Sequence, residues 1–163
     1  MSRFLPDNFD ASKSLALIAG KGTYPILLAE RARSAGIAVR LIELGGETSE
    51  KLINTFPDHE RSAVKVGQVG KLLKELKKFN AGYAVMAGQV TPGKLFKGLH
   101  PDLKAIRMLA GLERKNAETI FGAIGDEIEN GLIVGISKSD GHYYFLVKER
   151  NKFTILQMAS NCM

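Results

Sequence analysis

Apolar positions along the chain fall into two textures. Short continuous runs bounded by glycine alternate with stretches in which the apolar residues recur every three or four positions. Leu15-Ala16-Leu17-Ile18-Ala19, closed by Gly20, has the length and composition of a strand buried on both faces. A helix is expected to follow at once: Thr23 is placed to cap it, Pro25 suits its first turn, Ile26, Leu27 and Ala29 give it an apolar side, and Gly36 stops it. Residues 37–42 read as a second strand ended by Glu43 and the Gly45-Gly46 turn, and 63–66 as a third, broken by Gly67. From Lys71 to Phe79, Leu72, Leu73, Leu76 and Phe79 share one side of a helix while Lys71, Lys74, Lys77 and Lys78 occupy the rest. Residues 83–87 predict a fourth strand that runs into Gly88, two helices follow over about 102–112 and 117–130, and 132–136 predicts a fifth strand.

Strands separated by helices and joined by short loops define a Rossmann-like three-layer α/β sandwich with a mostly parallel sheet of about five strands and right-handed crossovers. The texture changes after Ser137. A turn at Ser139-Asp140-Gly141 and two β-rich runs, 143–147 and 153–158, predict a C-terminal hairpin. The expected organisation is a flexible lead-in over 1–13, the α/β domain over 14–136 and a hairpin or tail over 137–163.

Composition narrows the class. At 163 residues, 45% of them apolar, the chain has the makings of one ordinary globular domain. Its single cysteine, Cys162, excludes a disulfide framework and a Cys-based zinc site, which fits a cytoplasmic location. No run approaches the ~20 apolar residues of a membrane span, so any membrane contact is expected to be peripheral. Charge is unevenly placed: residues 61–107 hold ten Lys/Arg against two acids, a local +8 within an overall +6. Such a segment suits an anionic partner, whether phosphate, nucleic acid or an acidic bilayer, or is simply a solvated face.

In sheets of this kind ligands bind beyond the carboxyl ends of the strands, where the strand order reverses. That rule selects Gly20-Lys21-Gly22-Thr23-Tyr24-Pro25, which offers two glycines, a hydroxyl, a lysine and a helix start to an oxyanion. Pro25 replaces the third glycine of a dinucleotide fingerprint. The loop Gly88-Gln89-Val90-Thr91-Pro92-Gly93-Lys94 is expected on the same edge, with Gly67-Gln68 as a third contributor and Glu43 as a ribose-binding acid or an ordinary strand end. His59, His100 and His142 lack metal-ligand spacing, and Asp126 and Glu127, adjacent on one helix, do not share a face. No metal-ligating or catalytic set is evident.

Taken in order, LALIAGKGTYPILLAERARSAG, VKVGQVGKLLKELKKF, VMAGQVTPGKLF, LHPDLKAIRMLAGL and AIGDEIENGLIV resemble the N-terminal domain of UDP-2,3-diacylglucosamine pyrophosphatases of the LpxI type, over about Leu15 to Val134. The resemblance implies a cytoplasmic enzyme of lipid A biosynthesis, at most peripheral to the inner membrane, that hydrolyses UDP-2,3-diacylglucosamine to diacylglucosamine 1-phosphate and UMP with Mg²⁺ or Mn²⁺. It places Gly20, Gly22, Thr23, Pro25, Gly88, Gln89 and Lys94 against substrate. It also implies a second domain bearing the acidic catalytic groups, which residues 137–163 do not resemble, and Asn116-Ala117 stand where family members tend to carry acids. The expectation is therefore a domain that binds a sugar nucleotide or lipid phosphate without catalysing alone, with a separately encoded catalytic half as a potential partner and a homo-oligomer open. A basic nucleic-acid-binding module, or a ligand-free interaction domain on an α/β scaffold, is the alternative.

Overall fold

In the computed structural model, residues 10, 12–90, 101–114, 117–129, 133–135, 138–139, 142–149 and 152–157 are described. The central strand β1 (Ser14–Ala19) is buried at all six positions because it has a parallel neighbour on each side and a helical layer on each face. Leu15, Leu17 and Ala19 enter one core cluster, and Ala16 and Ile18 the other. A continuous apolar run is what that double burial requires.

The first layer is α1 (Tyr24–Ser34), which buries Pro25, Ile26, Ala29 and Ala32. The chain returns through β2 (Val39–Leu44), the short α2 (Glu50–Ile53), a single 3-10 turn at Asp58–Glu60 and β3 (Arg61–Val64). The opposite layer is built by α3 (Val69–Lys78), after which β4 (Ala81–Ala87) runs beside β1. Two further helices, α4 (Leu103–Ala110) and α5 (Ala117–Glu129), lead to β5 (Ile133–Gly135). The five strands are parallel in the order β3-β2-β1-β4-β5. A separate antiparallel sheet consists of β6 (Lys138–Ser139), β7 (His142–Glu149) and β8 (Lys152–Gln157) in that order, so the expected hairpin is present and carries one more short strand.

The α/β sandwich expected from the pattern is thus the observed one, with shifted element ends. The second strand starts at Val39 rather than Ile37 because Ile37 still closes the preceding helix: its N–H donates to the Ala32 carbonyl at 3.0 Å, across Gly36 at φ +76°. The third strand starts two residues early, where Arg61 lies beside Leu41 and pairs with Asp58 and Glu43. The lysine-rich helix also starts early, at Val69, because a distant acid caps it. Asp102 Oδ2 accepts from the Gly70 N–H at 2.6 Å, while its Oδ1 accepts from the Ala105 N–H at 2.9 Å. One carboxylate therefore caps α3 and α4 together. Leu72 and Leu76 pack against the sheet, as the apolar stripe of α3 predicts. Among the described residues no helix is long and apolar enough to cross a membrane. Residues 1–9 and 11 of the expected 1–13 lead-in lie outside the described residues.

Candidate functional site

Strand order reverses between β1 and β4, so the loops after these two strands share the carboxyl edge of the sheet. They are joined directly. Lys21 N–H donates to the Gln89 carbonyl at 2.7 Å and Gln89 N–H returns a bond to the Lys21 carbonyl at 3.0 Å, an isolated antiparallel bridge beyond the ends of two parallel strands. The Gly20 N–H donates to the Ala87 carbonyl at 2.8 Å and continues the same seam.

This contact explains two of the glycines. A Cβ at Gly20 would overlap the Gln89 carbonyl, and one at Gly88 would lie 2.5 Å from the Lys21 carbonyl oxygen and 2.9 Å from Pro25 Cγ. Gly88 also needs its φ of +89°. Gly20, Gly88 and the buried Pro25 are therefore committed to one another. Gly22 differs: at φ +101°, nothing lies within 4 Å of where its Cβ would be. The open surface of the rim belongs to Lys21, Gly22, Thr23 and Gln89, all exposed. Lys94, with Thr91, falls outside the described residues.

Thr23 precedes α1 in helical conformation and its hydroxyl makes no cap bond, contrary to its expected role. Its carbonyl instead accepts from Ile26 and Leu27 N–H groups at 3.0 and 3.1 Å. The rim is braced from the β2 side, which the sequence did not single out. Thr48 Oγ1 donates to the Ala19 carbonyl at 2.5 Å and accepts the Leu44 N–H at 2.8 Å. Next to it Glu47, whose side chain is 0% exposed, places Oε2 3.6 Å from Lys21 Nζ, while the Lys21 side chain is half exposed. The Gly45-Gly46 turn before Glu47 is a visible signal for a tight corner, but its burial depends on the neighbouring strands.

Other candidates are brought elsewhere. Glu43 pairs with Arg61 at 3.3 Å instead of facing the rim. Arg61 is held above its ordinary pKa, chiefly by its hydrogen bond to Asp58. Gln68 folds back so that its Oε1 accepts the Lys65 N–H at 3.0 Å, and with Gly67 it borders an apolar cavity of about 60 Å³ between the sheet and α3, α4 and α5. His59 is 79% exposed and His100 lies outside the described residues. Glu127 pairs with Lys104 at 2.7 Å, whereas Asp126 is exposed. Among the described residues no three His, Cys, Asp or Glu side chains converge as a metal site, and the acid nearest the rim is engaged with Lys21. These residues do not fit a hard divalent cation, which takes several oxygen ligands.

A parallel sheet covered on both faces, with two main-chain loops zipped at its switch point, defines a Rossmann-like α/β domain. The model of the LpxI N-terminal domain matches residues 14–140, and the chain belongs to that family. It is similar to the UDP-2,3-diacylglucosamine pyrophosphatase LpxI of Caulobacter vibrioides, 29% identical over 120 residues, which cover 72% of this chain. The aligned stretch spans 41% of that relative's length.

Proposed function

We propose that the β1/β4 rim binds the diphosphate of a uridine sugar nucleotide of lipid A biosynthesis, UDP-2,3-diacylglucosamine being the substrate that the relative's name specifies. The observation that carries this reading is the bridge between Lys21 and Gln89. It brings the Gly22 corner, the start of α1 and the Lys21 ammonium to one side of the switch point. A diphosphate needs main-chain N–H groups and positive charge, and charge-assisted hydrogen bonds contribute about 1.5–3 kcal/mol each. The bare Gly22 corner lets oxygen approach the backbone, the positive end of the α1 dipole adds to the attraction, and Gln89 is exposed beside them. Gly20, Gly88 and Pro25 serve by shaping the rim. Lys94, placed against substrate by family resemblance, completes the proposed set. Buried Glu47 limits where the Lys21 ammonium stands.

On this reading the chain binds and does not cleave. Attack of water on phosphorus with Mg²⁺ or Mn²⁺ needs carboxylates that hold the ion and orient the water. That set is assigned to a second, acidic domain, as the family resemblance implies.

Calorimetric titration of the full chain with UDP, uridine and a UDP-sugar tests the proposal. UDP and the UDP-sugar are expected to bind and uridine to bind far more weakly. Lys21→Glu is expected to weaken UDP by about tenfold or more, the equivalent of one charge-assisted bond. Absence of UDP binding up to millimolar concentration, or an unchanged affinity in Lys21→Glu, refutes the site; tight, salt-sensitive binding of an oligonucleotide in its place supports the nucleic-acid reading. UMP release by this chain alone from UDP-2,3-diacylglucosamine overturns the assignment of catalysis to another domain.

A further inference from the structure

The basic helix α3 hides its leucines, so it presents no apolar face of its own. The exposed apolar surface of its layer lies on α4. Leu103 is 62% and Ile106 50% exposed, on a single turn, with exposed Arg107 flanking Leu103 and Ala110 on the same outward side. The inward side of α4 is also apolar: Ala105, Met108 and Leu109 line the same cavity as Leu72 of α3 and Met86 of β4. Both helices thus cover one face of the sheet, and their outward sides point away from it together. On the outward side of α3, Lys74 and Lys77 are exposed and make no ion pair among the described residues, whereas Lys78 pairs with Glu75 at 3.7 Å. Lys104 is engaged by Glu127, and the Asp102 carboxylate is occupied as the double cap. Glu113, past the end of α4, is the exposed acid nearest in sequence.

We propose that this composite face docks on an anionic lipid surface, with Leu103 and Ile106 entering the interface and Arg107, Lys74 and Lys77 meeting headgroup phosphates. Charge decides among the occupants. A second copy applied through the same face would set these cations against their own equivalents. A folded protein partner of ordinary size covers roughly 800 Å² per side, with a groove or pocket for its anchors; here a convex helical turn offers two side chains. A fluid, negatively charged interface accepts such a ridge, because apolar tips insert while flanking lysines and arginines stay at headgroup level. Two inserted side chains give reversible binding. The inference stands apart from the nucleotide reading of the rim, from which it shares no residue.

Co-sedimentation of the full chain with phosphatidylcholine vesicles containing roughly 30 mol% phosphatidylglycerol, against phosphatidylcholine alone, tests it. Binding is expected with the anionic vesicles only, and it is expected to fall in ~0.5 M salt. Leu103→Ser/Ile106→Ser is expected to lower the partition coefficient by about tenfold, and Arg107→Glu by about fivefold or more. Thermal melts of both variants should match the parent because all three side chains are exposed. The proposal is overturned if the parent protein stays in the supernatant with anionic vesicles, if neutral vesicles bind it equally, or if both variants bind as the parent does. It is also overturned if light scattering shows a dimer that Leu103→Ser/Ile106→Ser dissociates, which would give the face to a second copy.

Discussion

The β1/β4 rim and the α3/α4 flank are both cationic places where distant segments of chain meet, yet they are clamped differently. At the rim the contact is main chain to main chain: Lys21 and Gln89 exchange two hydrogen bonds, and Gly20 and Gly88 leave the space that makes the approach possible. On the flank the contact is one side chain, Asp102, whose carboxylate ties the starts of two helices. The rim lysine stands against a buried acid, whereas Lys74, Lys77 and Arg107 face solvent. A run of basic residues therefore does not mark the place where two loops are joined through their main chains. The strongest charge bias lies in 61–107, but the switch-point loop that carries Lys21 is outside it.

Substitution at the rim should show the largest difference. Gly88→Ala is expected to destabilise the fold by about 3 kcal/mol, since a methyl group meets the Lys21 carbonyl and the backbone is left-handed. Gly22→Ala meets no neighbour and carries only the conformational cost, about 1 kcal/mol. Urea unfolding of the two variants measures the gap; equal losses would mean that the seam does not hold the rim together.

Next in size is the flank. Asp102→Ala removes caps from α3 and α4 at once and is expected to cost about 2 kcal/mol, near twice an ordinary N-cap. Hydrogen exchange should show lost protection in the first turns of both helices. Loss confined to α4 would break the claim of a shared clamp.

A smaller change is expected from Lys21→Met. It leaves the Glu47 carboxylate buried without that cation, but Lys21 is half exposed and the pair is screened, so about 1 kcal/mol is the expected loss by denaturant titration.

The smallest effect lies at the amino edge, opposite the rim, and rests on a contact between near neighbours in sequence. The Asp10 carboxyl is held below its ordinary value of 3.8, first by the Ser12 hydroxyl, which donates at 2.6 Å, and then by the Ser12 N–H. Because the folded form has the lower pKa, its contribution is present above about pH 3.8 and is lost as the pH falls through the depressed value. Ser12→Ala should raise the Asp10 pKa, as followed by NMR titration. An unchanged titration would show that the Ser12 hydroxyl does not hold this carboxylate.

Much of the architecture was legible because its signals are local. Apolar runs ending in glycine mark strands buried on both faces, the repeat of Leu72 and Leu76 marks a packed helix side, and Gly36 and Pro25 bound α1. The element ends were less legible. Ile37 is as apolar as a strand residue but serves the helix exit, and the start of α3 depends on an acid 32 residues from Gly70. At the site, the sequence pointed to both glycine loops and to their shared edge. It did not distinguish Gly20 and Gly88, which make room for each other, from Gly22, which leaves a surface open.

The residue pattern by itself determined the order and kind of elements, the family and the two loops worth examining, since helix and strand periods and turn residues act over a few positions. Only the tertiary structure decided that Glu47 is buried beside Lys21, that Asp102 serves two helices and that α4 turns Leu103 and Ile106 outward. Those outcomes depend on which surfaces are brought within a few ångströms after the chain has crossed the sheet. Desolvation and hydrogen-bond geometry are set by that proximity and not by spacing along the sequence.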